Sequence, residues 1–121
     1  MKFFLLAAIV NGFLSVALGA FGAHGLEGRL TEKMLNTWEK AVTYQMFHTV
    51  ALLATSFIAM KANVSLNGAG WFFLIGIVLF SGSLYMYSTT GIKLFAMITP
   101  LGGVAFLIGW ILLGVAVLKN V

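Results

Sequence analysis

Gly19-Ala20-Phe21-Gly22-Ala23-His24-Gly25-Leu26 marks the point where a long apolar run gives way to the most polar part of a 121-residue chain. All three acidic residues, Glu27, Glu32 and Glu39, follow it closely, and the two histidines, His24 and His48, lie inside it or soon after. Chemistry that needs a titratable group therefore belongs to this joint or to the segment just beyond it. Everything before the joint reads as helix suited to hydrocarbon.

Outward from the joint, 61% of the residues are hydrophobic and only 8% are charged, against about a quarter charged in a soluble domain. Such a chain cannot cover itself with polar surface in water. Its apolar residues fall into runs of roughly the 20 residues that cross a hydrocarbon core. The expected fold is all-α: a single transmembrane domain of four helices, spanning about 3–23, 41–60, 70–88 and 100–118, with an amphipathic interfacial helix over about 31–40. The first run has a lysine in front and small residues behind, as a signal peptide would, but Asn11 and Ser15 interrupt its hydrophobic centre and favour a retained span.

Small and polar residues on the first run, including Asn11, Gly12, Ser15, Gly19 and Gly22, recur at steps of three or four and so share one face. Gly102 and Gly109 give the fourth run a similar stripe. In lipid, stripes of this kind permit close backbone approach, so they should face protein. Their extent suggests more small-residue surface than four helices use internally, which points to a homo-oligomer. Thr31 reads as the N-cap of the amphipathic segment, with Glu32 in its first turn where the helix dipole favours an anion. Neither glycine nor proline separates that segment from the second span, so one continuous helix is an alternative. Thr99-Pro100 reads as N-cap and first residue of the last helix, and Gly25 as a left-handed helix stop. Trp71, Tyr85 and Tyr87 have the placement of interfacial aromatics.

Seven basic residues against three acids give a net charge of +4. These charges stand singly at segment ends rather than in a patch, so no nucleic-acid partner is expected. Lys2, Lys61 and Lys119 share one side of the membrane, and Arg29, Lys33, Lys40 and Lys93 the other. Three of the second set are interleaved with glutamates, and the reading adopted places both termini in the cytoplasm. Arg29, Lys33 and Lys40 are candidates for contact with lipid headgroups.

A histidine within a span is a candidate functional residue, and Tyr44 lies one turn before His48. His24, Glu39, Tyr44, His48 and Asn11 therefore form the candidate polar site. Metal is not expected, because the histidines lack clustered-ligand spacing and the chain has no cysteine. No cofactor is implied: the glycines around His24 follow a helix rather than a strand and lack the lysine of a phosphate loop. No serine sits in a nucleophile motif, so no catalytic residue is assigned. The reading that results is a non-enzymatic membrane protein binding membrane lipid or a partner. A small transporter with a polar route past Asn11, Tyr44 and His48 is the alternative.

The opening run, then Trp38 through Tyr44-Gln45 to His48, and Thr99-Pro100-Leu101-Gly102-Gly103 with Gly109-Trp110, together resemble the YgdD/YwdK-type family of small bacterial membrane proteins, a family of unknown function. The resemblance covers essentially the whole chain. It implies a four-span, multi-pass protein of the bacterial plasma membrane, and it implies no activity.

Overall fold

Hydrocarbon offers no hydrogen bonds to a backbone amide, so each membrane segment must close its own. In the computed structural model, which describes residues 1–121, this is met by four helices: α1 (Lys2–His24), α2 (Glu32–Ala62), α3 (Asn67–Thr90) and α4 (Lys93–Asn120). At 1.5 Å per residue they run about 35 to 46 Å, enough to cross a core of roughly 30 Å. All four are apolar enough to do so.

The Thr31 hydroxyl caps α2 by accepting from the Met34 amide at 3.2 Å. The helix then continues unbroken to Ala62 and closes on Asn63 in the left-handed region. The amphipathic segment is thus the first turns of α2, because its helical spacing runs in phase into the span. Trp38 is buried against α1, where its indole N–H donates to the Leu18 carbonyl at 2.9 Å. The ring occupies the notch left by Gly22, and a Cβ there would collide with it.

At the joint itself the structure differs from the sequence reading. Gly25 is right-handed, with φ −84°, and its amide donates to the Phe21 carbonyl at 2.6 Å. Glycine leaves space there for the Phe21 ring, which would stand 2.6 Å from an added Cβ. The left-handed residue is Gly28, at φ +79°, within the following turn.

α4 also begins earlier than its proline suggests. The helix starts at Lys93 and carries Pro100 in its interior, at the cost of one backbone hydrogen bond. The Thr99 hydroxyl, read from sequence as a cap, instead donates to the Phe95 carbonyl at 3.3 Å and is hydrogen-bonded to Ser83 on α3. Neighbouring helices and hydroxyls make such a proline tolerable in a membrane. α3 widens into a π-helical stretch over Ile77–Gly82. There the Ser81 hydroxyl donates to the Ala41 carbonyl of α2 at 2.7 Å.

α1 packs on α2, α2 on α3, and α3 on α4, while α2 and α4 meet only narrowly. Phe4, Ala8, Leu52, Phe73, Phe106 and Leu113 belong to the central apolar cluster. Large residues such as Ile9, Phe13 and Val16 face outward. Close approach is set by glycine on α4: a Cβ on Gly102 would lie 2.7 Å from Phe80 Cα, and one on Gly109 would lie 2.9 Å from the Phe73 ring. Gly114 faces open space.

Two substitutions on one helix should therefore diverge. Gly102→Ala drives a methyl into the α3 backbone and should destabilise by about 1–3 kcal/mol. Gly114→Ala should be neutral or stabilising by up to about 1 kcal/mol through helix propensity. Thermal unfolding of both variants in one detergent checks the contrast, and equal melting would contradict the α3–α4 packing.

Candidate functional site

Two features stand out in the bundle, and α2 contributes to both. The first is a buried polar seam through α1, α2 and α3. Gln45 donates through Nε2 to Asn11 Oδ1 at 3.0 Å, and its Oε1 accepts from the Tyr85 hydroxyl at 2.7 Å. Asn11 Nδ2 donates to the Ala7 carbonyl at 2.8 Å, and the Ser15 hydroxyl donates to the Asn11 carbonyl at 2.7 Å. The Trp38 ring packs edge-on against Tyr85, with centroids 4.6 Å apart. Every side-chain nitrogen and oxygen of the seam has a partner within the chain, which makes the seam a lock between helices.

The second feature surrounds His48, which is 4% exposed. Indole can only donate, so the 3.1 Å contact from Trp110 Nε1 makes His48 Nε2 an acceptor. The proton therefore sits on Nδ1, which donates to the Tyr44 carbonyl at 2.8 Å. This is a neutral imidazole with both nitrogens engaged. Its face stacks on Phe106, with ring centroids 3.5 Å apart and 6° between planes.

His48 and these rings floor a groove of about 720 Å³ between α2 and α4. Its walls include Tyr44, Phe47, Phe80, Pro100, Gly103 and Trp110. The narrow meeting of α2 with α4 leaves this space open at the side of the bundle. The π-helical turn places Phe80 at its back wall, where the Phe80 ring lies 4.4 Å from that of Tyr44.

The residues singled out from sequence do not form one site. His48 and Tyr44 join the groove, while Asn11 belongs to the seam and does not line it. His24 and Glu39 are exposed. Gly12 packs by Thr49, which places His48 near the level of Gly12, and His24 lies twelve residues further along α1, about 18 Å at helical rise. No three His, Asp or Glu side chains are placed to hold a metal. Arg29, Lys33 and Lys40 are exposed on the end of the bundle that carries the joint. Gly12 and Gly19 face Thr49 and Val42 of α2, and Gly22 faces Trp38, so the α1 stripe is used inside the chain.

Sequence reasoning missed Gln45, Tyr85 and the Trp110 bond to His48. From sequence, Gln45 enters only through the family resemblance, and Tyr85 only as an interfacial ring. The available signal was an amide in one span facing an amide in the next, since a buried Asn in lipid needs a polar partner.

The family model for DUF423, described as a protein of unknown function, matches residues 18–103. The UPF0382 membrane protein YwdK of Bacillus subtilis is 50% identical over 121 residues, covering 98% of each chain. UPF0382 membrane proteins of Staphylococcus epidermidis and Staphylococcus aureus are each 48% identical over 119 residues, again covering 98% of both chains. No solved structure matches.

Breaking the seam from one side should expose its energetics. Tyr85→Phe removes the donor to Gln45 Oε1 and leaves a buried acceptor unpaired, a loss of about 1–3 kcal/mol. In a Gln45→Leu background, which itself removes the donor to Asn11 Oδ1, Tyr85→Phe should cost less, because the acceptor it would orphan is already gone. A double-mutant cycle on melting in detergent measures the coupling, and strictly additive losses would contradict the hydrogen bond.

Proposed function

The chain belongs to the DUF423 family and is a multi-pass protein of the bacterial plasma membrane, and on that premise we propose that it binds membrane lipid in the lateral groove between α2 and α4. The role is binding rather than catalysis. The observation that carries the reading is the groove itself: about 720 Å³ with mainly apolar and aromatic walls, on helices that cross the membrane. A ligand entering it arrives from the bilayer rather than from water. Concave, mostly apolar sites with few polar groups are the usual form of small-molecule sites.

The polar groups of the floor fit this role. Both nitrogens of His48 are engaged, so the imidazole offers an apolar-backed ring face rather than a free base. The transporter alternative needs Asn11, Tyr44 and His48 along one route. Asn11 is bonded into the seam on the α1 side of α2, which favours binding over passage. Self-association, the other part of the sequence reading, draws no support from the small-residue stripes, since these meet α2 and α3 within one chain. The outward face of α1 carries bulky residues such as Phe13 and Val16.

Gly103 lines the groove, and a Cβ there would lie 3.9 Å from the Phe80 ring, an ordinary contact. Gly103→Leu should therefore fold normally and fill the groove. Native mass spectrometry of the wild type from detergent should show retained phospholipid, reduced severalfold in the variant at unchanged melting temperature. Equal retention by the two proteins would defeat the reading.

A further inference from the structure

The groove has a charged mouth at one end only. On α2, Lys40 stands one turn before Thr43 and Tyr44, and Phe47 follows at the same spacing, so the lysine shares the face that lines the groove. On α4, Lys93 precedes Pro100 by two turns on the face that continues to Val104 and Leu107. Both lysines are exposed. The chain reverses between successive helices, so α2 and α4 run in the same direction and the two cations lie at the same end of the bundle.

The dimensions match one leaflet. From Pro100 to Trp110 the groove runs ten residues, about 15 Å along α4, which is half of a hydrocarbon core roughly 30 Å thick. The lysines stand about 5 Å above Thr43 and about 10 Å above Pro100 along the helix axes, and their flexible stems can carry ammonium groups to the headgroup level. The Tyr44 ring, 41% exposed, lies between this charged mouth and the floor.

We propose, resting on the groove reading above, that the site selects an anionic phospholipid from the leaflet at the N-terminal end of α2. Its phosphate pairs with Lys40 and Lys93, and one acyl chain lies along the groove toward Trp110. A phosphate diester between two ammonium groups offsets one of the two positive charges at the mouth. The apolar length below it takes a chain of one leaflet's depth and ends at the His48–Trp110 pair.

The test uses the full chain in micelles containing equal phosphatidylglycerol and phosphatidylcholine with identical acyl chains, read by native mass spectrometry. The wild type should retain phosphatidylglycerol preferentially, by about fivefold for each lysine at low salt, with the preference falling as salt rises. Lys40→Gln with Lys93→Gln should bring the preference close to one, chiefly by lowering phosphatidylglycerol retention. Lys119→Gln, at the opposite end, should keep the wild-type preference. Equal retention of the two lipids by the wild type, or a preference that survives the double substitution, overturns the headgroup assignment while leaving the groove. Retention that is indifferent to Gly103→Leu overturns the groove itself. A lipid-free dimer in place of a lipid-bound chain overturns both.

Discussion

The hydrogen bonds of Gln45 govern the arrangement of the first three helices. In water a glutamine side chain could exchange partners freely, but in hydrocarbon its amide must find a donor and an acceptor within the protein. Asn11 supplies one from α1 and Tyr85 the other from α3. Only one register of those helices brings all three together. Each buried side-chain nitrogen and oxygen in the structure has a partner. Serine and threonine hydroxyls along α2, among them Thr49, Thr55 and Ser56, close on carbonyls of their own helix.

Around that seam, packing relies on large rings set into glycine gaps. Trp38 fills the space beside Gly22, Phe106 that beside Gly76, and Phe73 that beside Gly109. Lipid provides little hydrophobic drive between helices, so their association depends on close contact and polar bonding. A ring against a glycine supplies the contact, and the seam supplies the bonding. This explains why Gly25 is glycine while its backbone is right-handed: the ring of Phe21 occupies the place of its side chain.

The all-helical, four-helix architecture was legible in the sequence because hydrophobic length is a local property. The Thr31 cap was legible for the same reason. Pro100 was misleading because its local signature, a threonine before a proline, also marks a helix start. Its tolerance inside α4 depends on tertiary surroundings that include the hydroxyl of Ser83. His48 and Tyr44 could be singled out as intramembrane polar residues. The Trp110 bond could not, since it joins positions 62 residues apart. The groove was illegible for a different reason: it arises where two helices fail to pack closely, and no residue pattern on either helix announces a gap between them.

That gap has a further consequence in a fluid membrane. Acyl chains are mobile enough to enter any lateral opening of this size, so the groove has no empty state comparable with a dry cavity in a soluble protein. Occupancy is then nearly constant, and the quantity that separates a bound lipid from a passing neighbour is its exchange rate. With lipid held as proposed, aromatic walls and a paired headgroup would slow departure far more than they change filling. On the proposed reading, lipid recognition by this protein is a matter of residence time.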